Sequence, residues 1–79
     1  MYAIDQFLAL VNEYRRARDV SDARVSTLVF NDGSRVAQIR KGGDIGSRRL
    51  EQSIQWFSDN WPDSAKWPSC VPRPKSRAA

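Results

Sequence analysis

At 79 residues the chain has room for one domain and one core, and its 41% hydrophobic and 28% charged residues suit a globular fold anchored by three Trp and three Phe. The absence of histidine and the single cysteine, Cys70, exclude a zinc site, a Cys–His or Ser–His nucleophile and an internal disulfide. The net charge of +4 comes from 13 Lys and Arg against 9 Asp and Glu, and no apolar run approaches the ~20 residues that cross a bilayer.

The first predicted element is a helix from Ile4 to Ala17, with Ile4, Phe7, Leu8, Val11 and Tyr14 on one face at three- and four-residue steps. Arginines near its end complement the helix dipole. Ser21 is a good N-cap for a second helix, which should carry Val25, Leu28 and Val29 inward and end near Phe30. Asn31-Asp32-Gly33-Ser34 is the strongest turn signal in the chain, with Ser34 placed to cap a third helix. That short helix runs from Arg35 to Lys41 on two inward residues, Val36 and Ile39, and Gly42-Gly43 stops it. Its outward positions are long donors: Arg35, Gln38, Arg40 and Lys41.

A fourth helix is expected from Ser47 to Asn60, burying Leu50, Ile54, Phe57 and Trp61, while Trp56 lies off that stripe. Beyond it, Pro62, Pro68, Pro72 and Pro74 forbid regular helix, and Trp61 and Trp67 each precede a proline. The expected organisation is therefore an all-α, four-helix domain over residues 1–61. An extended, Trp- and Pro-rich tail continues over 62–79, tethered by Trp67 and Val71 and disordered from Lys75 to Ala79.

Charge is unevenly spread. Residues 1–30 are neutral overall, residues 31–49 carry +3 and residues 50–79 carry +1. A basic stripe around the third helix is what a polyanion requires. Gly42-Gly43 and Gly46 lack the spacing of a phosphate-binding loop, and the carboxylates are scattered, so no enzyme, cofactor or metal is expected. The start, Met1-Tyr2-Ala3-Ile4-Asp5, has no basic stretch leading into an apolar one; with one cysteine, a cytoplasmic setting away from any membrane is expected.

Tyr14-Arg15-Arg16-Ala17-Arg18-Asp19-Val20-Ser21 resembles the end of helix one and the linker of the phage repressor and Cro-like (XRE-type) helix-turn-helix family. From Ser21 to Gly42 the spacing fits that family without a gap. Val25 and Val29 stand at its apolar helix-two positions, Ser26 at its small position, and Val36 and Ile39 at its buried recognition-helix positions. Gly42 stands at its closing glycine, and Leu50 and Ile54 resemble its next helix. Phe30 departs from the pattern, standing where the family often has glycine, so the break is expected to shift to Asn31-Asp32-Gly33. The ending Gln55-Trp56-Phe57-Ser58-Asp59-Asn60-Trp61-Pro62 is similar to that of small prophage-type regulators.

The resemblance implies sequence-specific binding of double-stranded DNA by a transcriptional regulator, with the third helix in the major groove. It assigns Ser34, Arg35 and Gln38 to base edges, and Arg40, Lys41, Ser47, Arg48 and Arg49 to phosphates. It also implies a homodimer on two half-sites, with Trp56 and Trp67 as the candidate dimer surfaces. The competing expectation is a small phage-type adaptor or inhibitor that binds protein through the same scaffold. RNA is disfavoured because aromatic residues do not interleave with the basic ones.

Overall fold

Four helices, α1 (Ile4–Arg18), α2 (Asp22–Phe30), α3 (Arg35–Arg40) and α4 (Ser47–Asp59), form the regular structure in a computed structural model describing residues 3–74. No strand occurs among the described residues, and the chain is all-α. The disorder expected for Lys75–Ala79 lies outside the described residues.

Local chemistry sets the helix ends. At the start of α1 the Gln6 side chain accepts the Ala3 N–H at 2.8 Å. Asp5 in its first turn and Arg15, Arg16 and Arg18 in its last suit the dipole. The helix ends where Asp19 turns left-handed, at φ 53°, and returns its N–H to the Arg15 carbonyl. Ser21 caps α2 as expected, accepting the Arg24 N–H at 3.2 Å.

The core differs from the sequence expectation on two helices. In α1 the buried set is Phe7, Leu10, Val11 and Tyr14, whereas Ile4 and Leu8 are only half-buried. The inward stripe is thus rotated toward Leu10, because α1 packs against both α4 and α2. In α2, Val25 and Ser26 are buried and Val29 is half-buried, but Leu28 faces out at 37% exposure. Phe30 takes the inward space instead, tilted against Phe7 with ring centroids 5.8 Å apart. Leu28 is the one large exposed apolar side chain among the described residues.

An aromatic seam joins α1 to α4. Phe57 lies 6.0 Å from Phe7 and 5.7 Å from Tyr14 between centroids, and Trp56 meets Tyr14 edge-on at 5.6 Å. Val36 and Ile39 of α3, Leu50 and Ile54 of α4, and Ile45 of the intervening loop complete the core.

Residues 60–74 carry no helix or strand. Trp61 is half-buried, and its indole N–H bonds the Ala65 carbonyl at 2.8 Å. The Trp67 indole N–H bonds the Val71 carbonyl at 2.7 Å, and Val71 is 2% exposed. Gln6 donates to the Cys70 carbonyl, Ser58 to that of Pro74, and Arg73 to that of Ser58 while lying 5.0 Å over the Trp67 ring. Among the described residues, the hydrogen bonds and ring contacts that hold this segment lie on α1, α4 and the segment itself, and none involves α3.

Candidate functional site

The site begins at the turn between α2 and α3. Phe30 remains helical, and the left-handed residue is Asn31, at φ 58° and ψ 31°, with its N–H on the Thr27 carbonyl. A side chain as bulky as Phe resists that conformation and Asn tolerates it, so the break moves one residue along. Gly33 has no positive φ.

Ser34 stands at the N-cap of α3 without a capping bond from its side chain, and Asp32 closes the turn before it. One carboxylate oxygen, Oδ1, accepts both the backbone N–H of Ser34 at 3.0 Å and its hydroxyl at 2.8 Å. These two bonds, the backbone one foremost, hold the Asp32 carboxyl below its ordinary range, and the nearby charge of Arg35 adds to the effect. Behind the turn sits Ser26, fully buried. Its hydroxyl donates to the Asp32 carbonyl and accepts the Val36 N–H at 3.2 Å, clamping the start of α3 to α2.

The side chains that α3 buries are Val36 and Ile39. Of the expected base-facing residues, Ser34 and Gln38 are exposed and Arg35 is half-buried. The Gln38 amide nitrogen donates to the Ser34 hydroxyl at 3.3 Å, so a directed chain runs from Gln38 through Ser34 to Asp32. Arg35 has its Nε out of solvent and without a hydrogen-bond partner.

The expected phosphate-facing residues divide into two groups. Arg40 is turned back on the fold: Nε bonds Asp22 at 2.8 Å, and Nη2 bonds Asn12 at 2.6 Å and Asp22 at 3.2 Å. Arg15 also pairs with Asp22, at 3.2 Å, so one carboxylate ties together α1, α2 and α3. Lys41, Ser47, Arg48 and Arg49 are exposed, and the three cations make no ion pair among the described residues. Residues 41–46 join α3 to α4. Gly42 takes φ +96°, and the Gly43 N–H bonds the Gln38 carbonyl at 2.8 Å, so a Cβ there would meet that oxygen at 2.5 Å. Buried Ile45 pins the loop, and Gly46 caps α4 without a side-chain bond, so Ser47, Arg48 and Arg49 ride on its open first turn.

Trp56 and Trp67 are half-buried inside the fold, Trp56 on Tyr14 and Phe57, and Trp67 edge-on to Trp61 at 4.9 Å beneath Arg73. Sequence reasoning placed Asp32 in the turn but missed its bonds to Ser34, and it missed Asn12 and Asp22 altogether. The two-residue spacing of Asp32 and Ser34 was a legible signal; the partnership of Asn12 and Asp22 with Arg40 had none. No group of three His, Cys, Asp or Glu that would hold a metal occurs among the described residues, and no described helix is long and apolar enough to cross a membrane. No protein-family model, curated protein or solved structure matches the chain.

Proposed function

We propose that the chain binds double-stranded DNA as a helix-turn-helix regulator, with the exposed side of α3 in the major groove and the start of α4 on the adjoining phosphates. The observation that carries this reading is the contrast between Arg40 and its neighbours. One basic side chain of the central segment is committed to internal ion pairing, while Arg35, Lys41, Arg48 and Arg49 make no such pair among the described residues. They flank two exposed hydrogen-bonding side chains, Ser34 and Gln38, already oriented by a bond between them.

The division of labour comes from chemistry. Arg35 suits the O6 and N7 acceptors of guanine, and Gln38, with one amide N–H and its carbonyl left outward, suits N6 and N7 of adenine. Lys41, Arg48, Arg49, Ser47 and the free amides at the head of α4 suit phosphate oxygens. One module of this size makes few base contacts, so two copies on adjacent half-sites form the expected complex.

Fluorescence anisotropy with a labelled duplex over a salt series tests the proposal. For about four phosphates neutralised per copy, log affinity should fall with log salt at a slope of about −3 to −4 per copy. A slope near zero, or no binding at low salt, would defeat it.

A further inference from the structure

An acidic residue sits at the leading edge of the surface assigned to DNA. Asp32 is exposed, immediately before α3, and would repel phosphate. Closing the turn does not require its charge, because Asn or Ser also offers an acceptor to the Ser34 N–H, though one that holds it less strongly. Both Ser34 donors converge on Oδ1, and Oδ2 makes no hydrogen bond among the described residues. The carboxylate is thereby oriented, with one oxygen engaged by Ser34 and one left for a partner. The adjacent Gly33 is not demanded by the fold: it has no positive φ, and a Cβ there would meet its nearest neighbour, Thr27 Oγ1, at an ordinary 3.4 Å. A glycine in that place lets the turn approach another surface closely, as a side chain as short as Asp needs.

We propose that Asp32 is a specificity-determining residue of this surface, its outward carboxylate oxygen accepting a hydrogen bond from the exocyclic amine of a cytosine in the major groove. The inference rests on α3 facing DNA. A carboxylate only accepts, so it favours the cytosine N4 amine and is repelled by the O6 and N7 of guanine and the O4 of thymine. Arg35 has the opposite demand, for guanine. Together they specify a target with cytosine and guanine at neighbouring positions, and the chain from Gln38 through Ser34 to Asp32 fixes the acceptor before DNA arrives.

The test is selection from a randomised duplex pool with the wild type, D32S, D32N and R35A, each checked to be folded and cooperatively melting at the temperature of the selection. Ser and Asn keep the capping acceptor, so both variants are expected to fold. The wild type should enrich cytosine at one position, and D32S should lower that preference by about five- to a hundredfold. D32S should also bind the unselected pool more tightly, having lost a repulsive charge. D32N, which can donate as well as accept, should broaden the same position, and R35A should lose a guanine while keeping the cytosine. Retention of the cytosine preference by D32S, or no cytosine-enriched position in the wild type, overturns the proposal. A pool that yields no binding at all defeats the DNA assignment itself and this inference with it.

Discussion

The backbone N–H of Val36 donates to the hydroxyl of Ser26 across ten residues, at 3.2 Å and out of solvent. α3 is six residues long, too short to be stable on its own, and only two of its side chains are buried. This hydroxyl therefore helps to set the pitch of α3 against α2, beside the Arg40–Asp22 pair, and it also satisfies the Asp32 carbonyl. Ser26 is small enough for the two helices to approach, and polar enough to close the turn between them.

Replacing Ser26 with Ala should accordingly cost about 1–3 kcal/mol, because the Val36 N–H and the Asp32 carbonyl are left unpaired. For a domain of this size the melting temperature should fall by about 5–15 °C. Circular dichroism on heating reads it. A melt within a degree of wild type would mean that water replaces the hydroxyl without loss.

The two groups of basic side chains should separate in solution. R40M removes three hydrogen bonds to Asp22 and Asn12 and should destabilise the fold by about 1–2 kcal/mol. A double-mutant cycle with D22N should show coupling of about 0.5–1 kcal/mol, modest because both side chains keep contact with water. R48A should leave the melt unchanged and reduce the salt slope of DNA binding by about 1, whereas R40M should leave that slope intact.

The exit from α3 offers a paired glycine test. G43A drives a Cβ to 2.5 Å from the Gln38 carbonyl, so the backbone must shift, and a loss of about 1–3 kcal/mol is expected with altered amide signals at Gln38. G46A adds a methyl group where nothing lies within 4 Å and should be close to neutral. Chemical denaturation of the two variants side by side distinguishes them.

Asp32 gives the fold a defined pH response. Its carboxyl titrates below the ordinary value of 3.8 when folded, so its stabilising effect is present above that value and is lost as pH falls through the depressed one. Wild type should lose stability relative to D32N as the pH is lowered from 5 toward 2, about the span of carboxylate titration. Equal pH profiles for the two would show that the Ser34 bonds do not discriminate the charged form.

Much of this architecture was legible from residue chemistry alone. Ser21 named the start of α2, the Asn31–Ser34 run named the turn, and Val36 and Ile39 named the buried side of α3. What escaped was set by neighbours and not by period. Leu10 and Leu28 each lie one step from a correctly placed apolar residue, and the sequence does not say which flank of a stripe another helix covers. Phe30, read as a misfit in the turn, is inward because Phe7 offers it a ring to pack on. Arg40 looked like one more outward cation. Its pairing with Asp22, eighteen residues away, exists only once α2 and α3 are folded together. Trp56, read either as covering the first helix or as facing a second chain, meets Tyr14 of α1 edge-on.

The most direct measurement is a titration of the ¹⁵N-labelled chain with the duplex best recovered from a randomised pool, monitored by amide chemical shifts. Shifts confined to residues 31–41 and 46–49, with residues 61–74 unmoved, are the predicted result. Shifts centred on the proline-rich segment, or none at low salt, would contradict the assignment of α3 and the head of α4 to DNA.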